Sequence, residues 1–285
     1  MNPISRSSLR RLARLPVVLL AFLFVVAGCN GAGSILGADA ANREVLHEII
    51  DRGTLRVGTS GTQPPLTMKN QRGDLIGLDI ELAQALADAM QVDLELVETP
   101  FAELLPDLEA GRIDLVISSL TITPARNARV AFAGPYMISG SSLLSRADLI
   151  DSLSEASAMN AAERSWAALR GSTGEALILD LFPLATYVPV EDAGAAVAQI
   201  TSGEIDGLFA DVPFVQFQLA RNPGLGLASL PAPFTTEPLG VALPPNSPLF
   251  ANLVQNYLNT LDYTGELMQL KMHWMSAGDW LSEVP

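Results

Sequence analysis

Residues 118–126 read SSLTITPAR: four hydroxyl side chains (Ser118, Ser119, Thr121, Thr123), a proline and one arginine, directly after the apolar run 113–117. Two other short stretches carry complementary chemistry. Gly171-Ser172-Thr173-Gly174 is a small-residue loop that opens a helix, and Asp211 follows a second apolar run at 207–210. The arginine fork matches a carboxylate bidentately, and a helix N-terminus favours an anion. The aspartate accepts from an ammonium. A ligand with a carboxylate and an amine on adjacent atoms satisfies all three, and that describes an α-amino acid. Each residue also has a plainer reading on pattern alone. Arg126 suits a structural ion pair, Asp211 a cap or turn, and Ser119, Thr121 and Thr123 turns that bond their own backbone. Their convergence is what points to a ligand.

The elements around them must bring these stretches to one place. A strand at 55–59, a helix from 79 to about 90 with Asp79 as its cap, a strand at 92–96, a helix at 102–110 and a strand at 113–117 follow from the apolar spacing. That alternation indicates a mostly parallel sheet flanked by helices. The same grammar returns with strands at 166–169, 187–190 and 207–210 and a helix at 192–202. "EAGRIDLVIS" (109–118) and "TSGEIDGLFA" (201–210) even share a glycine, an Ile-Asp pair and an apolar strand. Two lobes on one plan are expected, with the three chemical stretches at strand ends, where open α/β sheets bind ligands. The pieces after 234 (a strand at 240–243 and helices at 249–261 and 266–275) are too small for a core of their own and should pack on one lobe.

Bulk composition narrows the partners. The chain has 285 residues and a formal charge of −14. Nucleic acid is excluded as a partner, because phosphate binding needs clustered Lys and Arg. Arg6, Arg10, Arg11 and Arg14 precede an apolar run at 15–27, which is too short to span a bilayer as a helix. Residues 1–28 therefore read as a signal peptide. Val26-Ala27-Gly28-Cys29 resembles the lipobox of bacterial lipoproteins, so Cys29, the only cysteine, is expected to be lipidated and to hold the chain on a bilayer. Removing residues 1–28 leaves 13 basic against 31 acidic residues, a charge of −18. Residues 29–44 then form the lipidated cysteine and a flexible tether, with the body at the cell surface or in the periplasm.

Longer stretches carry a resemblance to a family. "RGTLRVGT", "GDLIGLDIELAQALA", "ELLPDLEAGRIDLVISSLTITPAR", "VAFAGPYM", "GEIDGLFADVPF" and "ELMQLKMHWM" are similar to the amino-acid-binding (family 3) extracellular solute-binding proteins of ABC importers, over roughly residues 45–280. The resemblance implies a two-lobed periplasmic-binding-protein fold of type II, each lobe a mostly parallel sheet flanked by helices, joined by two hinge strands near 133–136 and 231–235. Lobe 1 is then 45–135 with 234–285, and lobe 2 is 136–233. It implies that Ser119, Thr121 and Arg126 grip the α-carboxylate, with Thr173 as a further contact from lobe 2. Asp211 holds the α-amino group, and Phe101 lines the side-chain pocket. Where the family often has aromatic-Pro-Pro-Phe, this chain has Gln63-Pro64-Pro65-Leu66. Gln63 suits a polar ligand side chain. The expected partners are an α-amino acid and a membrane permease, for a monomer without cofactor or metal.

Two rival functions share the fold. The same trap serves as a ligand-binding sensory module for a membrane receptor. Periplasmic cyclohexadienyl dehydratases resemble it too, but they carry a general-acid glutamate three residues after the aspartate matched by Asp211. Phe214 stands there and delivers no proton, so the chain is read as a binder and not an enzyme.

Overall fold

The structure, a computed structural model, describes residues 44–153, 156–276, 280–281 and 284. The basic start, its apolar run, Cys29 and the tether up to residue 43 lie outside these residues; Glu44, expected to end the tether, is instead held to the body, its Oε1 accepting the Phe250 N–H at 3.3 Å. Among the described residues no helix is long and apolar enough to cross a membrane.

The chain runs α1 (Val45–Arg52), β1 (Thr54–Thr59), β2 (Met68–Lys69), β3 (Leu75–Ile76), α2 (Leu78–Met90), β4 (Asp93–Glu98), α3 (Leu104–Glu109), β5 (Leu115–Val116), β6 (Ala131–Ser139) and β7 (Ser141–Arg146). It continues through β8 (Ser165–Leu169), α4 (Thr173–Leu181), β9 (Thr186–Val190), α5 (Ala193–Ser202), β10 (Gly207–Asp211), α6 (Val212–Arg221) and β11 (Leu227–Ser229). β12 (Glu237–Leu243), α7 (Pro248–Thr264) and α8 (Glu266–Met275) close it. Two five-stranded sheets result, ordered β4-β1-β5-β12-β6 and β11-β7-β10-β8-β9. Each has a parallel half, β4-β1-β5 in one and β10-β8-β9 in the other. Each also has an antiparallel half, which holds the strands that connect the two sheets.

Helices cover both faces of each sheet. Leu55, Val57, Leu82, Leu86, Phe250, Val254 and Leu258 share one apolar core, so α7 packs on the first sheet, as expected for an element without a core of its own. On the opposite face Leu104, Leu105 and Leu108 of α3 meet Val116 and Ala242. The second sheet is sandwiched likewise, by Trp166, Ile178 and Phe209 on one side and Ala196, Ile200 and Leu208 on the other.

The repeated Ile-Asp pairs have one structural job. Asp114 accepts the backbone N–H of Arg56 at 2.8 Å while its own N–H donates to Arg56 O. Asp206 accepts the N–H of Ser165 at 2.9 Å and donates to Ser165 O. In both lobes the aspartate pins the neighbouring parallel strand.

Several sequence expectations change in detail. The helix expected at 102–110 begins as a 3-10 turn, Phe101–Glu103, before α3. The strand expected at 113–117 is regular only over Leu115–Val116, although the N–H groups of Asp114 and Ile117 still donate to β1. Asp79 does not cap α2, whose N-cap is Gly77; its carboxylate is used elsewhere. β7, α6 and β11 were not anticipated by the sequence pattern.

The chain crosses between the sheets twice. β6 ends at Ser139, and β7 starts at Ser141 in the other sheet. The return passes through 230–236 into β12, whose Glu237 pairs with Ser139. The two passages are fastened together: Ser141 N–H donates to Thr235 Oγ1 at 2.8 Å, and Phe234 N–H to Ser141 O at 2.8 Å. Gly140 is required here. A Cβ on it would lie 2.3 Å from Thr235 O and 3.0 Å from Pro233 Cβ. Gly140→Ala is therefore expected to destabilise the protein by about 1–3 kcal/mol, as overpacking does, seen as a lower urea midpoint. An unchanged midpoint would mean that the passages part without cost.

A further contact joins the lobes at the C-terminal end. Trp280 stacks on Phe217 of α6, with centroids 6.0 Å apart and an interplanar angle of 15°, and lies 5.1 Å from Trp274 of α8. Val284 O accepts from Arg221 of α6 at 3.2 Å. The tail thus reaches from α8, on the first sheet, to a helix of the second.

Candidate ligand-binding cleft

A cleft lies between the lobes, and Gln63, Phe101, Ser119, Thr121, Arg126, Thr173 and Asp211 all line it. The seven side chains expected to meet a ligand are thus brought together. Cys29 lies outside the described residues.

The 118–126 loop is shaped by hydrogen bonds from the first lobe. Ser118 Oγ accepts the N–H of Ser60 at 3.0 Å. Ser119 sits at φ 51°, in the left-handed region, which costs a non-glycine residue about 1 kcal/mol or more. Asp79 holds it there, because Oδ2 accepts the Ser119 N–H at 2.7 Å while Oδ1 accepts the Tyr136 hydroxyl at 2.9 Å. The Ser119 side chain is thereby turned into the cleft lining. Its hydroxyl, and that of Ser141 across the cleft, are buried without a hydrogen-bond partner among the described residues. Buried hydroxyls of this kind favour a polar ligand.

Arg126 stands on a single helical turn, Pro124–Asn127, capped by Thr123, whose Oγ1 accepts the Arg126 N–H at 3.2 Å. Its guanidinium donates from Nη1 to Thr121 O at 2.8 Å and from Nη2 to Gly171 O, in the other lobe, at 3.0 Å. Its Cζ lies 5.8 Å from the Phe101 ring centroid, a cation–π contact. Phe101 therefore supports the arginine as well as walling the cleft. Burial lowers the Arg126 pKa, while Glu237 and Asp211 pull it back up; an arginine keeps its charge in any case.

From the second lobe, Thr173 is the first residue of α4, whose N-cap Ser172 accepts the Glu175 N–H at 3.2 Å. Asp211 ends β10 and makes no side-chain cap on α6. Burial, with the Glu237 charge next, pushes its pKa up to about 8, against the pull of Arg126. Gln63 is held only loosely, its amide reaching Ser118 O at 3.5 Å.

Sequence reading did not single out Glu237. Its side chain is buried, and Oε2 accepts from both Thr121 Oγ1 and Thr173 Oγ1 at 2.7 Å while Oε1 accepts from Thr235 Oγ1 at 2.7 Å. Nor was the role of Asp79 legible, since its partners lie 40 and 57 residues away.

The buried acids predict a pH dependence. Burial also raises Asp79, to about 7. Both folded pKa values lie above the unfolded value of about 3.9, so the folded state binds the extra protons. The resulting stabilisation is fully present below about pH 4 and is lost as pH rises through 7 to 8. In urea unfolding of ligand-free protein, Asp79→Asn and Asp211→Asn should each flatten the fall in stability between pH 5 and pH 8. Identical slopes in wild type and both variants would reject this assignment.

The profile of the bacterial extracellular solute-binding proteins, family 3, matches residues 55–277. The ABC transporter arginine-binding protein 1 of Escherichia coli is 28% identical over 224 residues, covering 77% of this chain and 90% of that protein. The cyclohexadienyl dehydratase of Pseudomonas aeruginosa is 24% identical over 244 residues, covering 82% and 87%. Among solved structures, an ancestral amino acid-binding protein, described as a precursor of cyclohexadienyl dehydratase, superposes with a TM-score of 0.76 at 32% identity, covering 82% of this chain and all of that one.

Proposed function

Because the chain belongs to the bacterial extracellular solute-binding proteins, family 3, we propose that it captures an α-amino acid with a polar side chain and delivers it to the permease of an ABC transporter. The lobes, one built on each sheet, close on the ligand. Arg126, with Ser119 and Thr121, takes the α-carboxylate from the first lobe. Thr173 and Asp211 come from the second, and Asp211 takes the α-ammonium. Phe101 and Gln63 face the side chain. Contacts made only when both lobes touch the ligand favour the closed state, which is what couples binding to closure.

The observation that carries this reading is the placement of Arg126 and Asp211, the one cation and the one acid in the lining among the described residues, on opposite lobes of the same cleft. The cleft wall also supports binding over turnover. Phe214, three residues after Asp211, is buried in the lining and offers no proton. The signal peptide at 1–28 and lipidation of Cys29 place the monomer outside the cytoplasm, held on a membrane.

Thermal unfolding of residues 43–285, which form one compact unit, tests the binding step against a panel of amino acids and small carboxylates. A ligand at 100 times its Kd stabilises by about 2.7 kcal/mol, which moves the transition clearly. Protein freed of carried-over ligand should shift with one or a few α-amino acids. A shift with none of them would reject the reading.

A further inference from the structure

Glu237 sits at the start of β12, where the return passage enters the first sheet. One of its carboxylate oxygens gathers a hydroxyl from each lobe, Thr121 and Thr173, both at 2.7 Å. A threonine hydroxyl has a single proton. With both protons given to Glu237, Thr121 and Thr173 turn lone pairs toward the cleft. These hydroxyls act there as acceptors, so Thr121 meets a ligand carboxylate with its backbone N–H, which has no backbone partner among the described residues.

The charges point the same way. Arg126 is the only cation among the lining residues, and two of its N–H groups are held by Thr121 O and Gly171 O. It faces Asp211 in the lining and Glu237 immediately behind the two threonines. A zwitterionic ligand matches Arg126 with its carboxylate and Asp211 with its ammonium, and so leaves the charge of Glu237 uncompensated in a closed, poorly solvated site. Such a residual charge is costly. A second positive charge on the ligand removes the mismatch.

We propose that Glu237 is a specificity-determining positioning residue that makes the cleft prefer α-amino acids with a cationic side chain over neutral ones of the same shape. It acts through the two threonine protons and through its own field. This deepens the reading of the cleft as an amino-acid site and rests on it.

L-arginine and L-citrulline test it, because their shapes are nearly equal and only one carries the side-chain charge. Calorimetric titration of the wild-type protein should give a preference for arginine of about tenfold or more, and Glu237→Gln should bring the ratio to within about threefold, as expected when one interior charge is removed. The glutamine keeps an acceptor for the hydroxyls, so merely structural damage would weaken both ligands together and leave the ratio unchanged. An unchanged ratio in a folded variant overturns the proposal. If Glu237→Gln does not fold, the wild type still decides: tighter binding of citrulline overturns the proposal and tighter binding of arginine supports it. Wild-type protein that binds neutral amino acids only overturns this proposal alone, whereas protein that binds no α-amino acid overturns the amino-acid reading beneath it as well.

Discussion

Arg126→Ala is expected to leave the chain folded and to weaken amino-acid binding by about 2–5 kcal/mol, roughly thirtyfold to several thousandfold in Kd. The fold should survive because Arg126 belongs to a single helical turn, outside the apolar clusters that build either lobe. The loss has three sources. The ligand carboxylate loses its fork, and Thr121 O and Gly171 O lose the donor that ties one lobe to the other. Asp211 and Glu237 lose the only cation in the lining among the described residues, so their mutual repulsion is no longer offset. Arg126→Lys should recover only part of the binding, since an ammonium cannot span both carbonyls and a carboxylate in one plane. Titration calorimetry on the variant gives the answer directly. A Kd within about threefold of wild type, under half of the tenfold that 1.4 kcal/mol represents, would remove Arg126 from the site.

Asp211→Asn should affect binding and stability in opposite directions. Asparagine keeps the shape and cannot compensate an ammonium, so affinity for an α-amino acid should fall by about 2–5 kcal/mol, as for any buried charge partner removed. The ligand-free protein should be as stable as wild type or more so near pH 8. Burial and the neighbouring Glu237 hold the Asp211 carboxyl at a pKa of about 8, and the amide resembles that neutral form. Wild-type affinity should also rise as pH increases from 6 toward 8, because the ammonium requires the carboxylate and its binding expels the proton. A variant that binds amino acids as tightly as wild type would show that the ligand needs no acid at this position. A variant with lowered stability near pH 8 would show that Asp211 is ionised in the empty cleft.

Much of this site was legible in the sequence because its residues sit at strand ends. An apolar run followed at once by hydroxyls and an arginine, or by a lone aspartate, marks the point where the chain leaves the sheet, and both stretches line the cleft. The Ile-Asp repeat was legible as a pattern, and each copy pins a parallel strand in its own lobe. Glu237 was not legible. In Thr-Thr-Glu-Pro no local pattern marks it as a site residue, and its two cleft partners are 116 and 64 residues away. Asp79 misled for a related reason. A carboxylate at the start of a helix has the chemistry of a cap, but the backbone N–H that it binds belongs to Ser119. Local pattern reports what a residue can do, and only tertiary approach decides which partner it meets.

If the lobes close as proposed, the stacking of Trp280 on Phe217 bears on how they move. Two chain passages alone leave the lobes free to bend about the line that joins them. An attachment outside the cleft removes that freedom unless it lies on the same line. Off the line, each opening must peel one indole face from a phenyl ring and wet both, and the aromatic pair becomes a clasp whose strength is independent of cargo. Release would then be timed partly by the tail of the chain, far from any group that touches the ligand, and the resting shape of the empty trap would be set there as well.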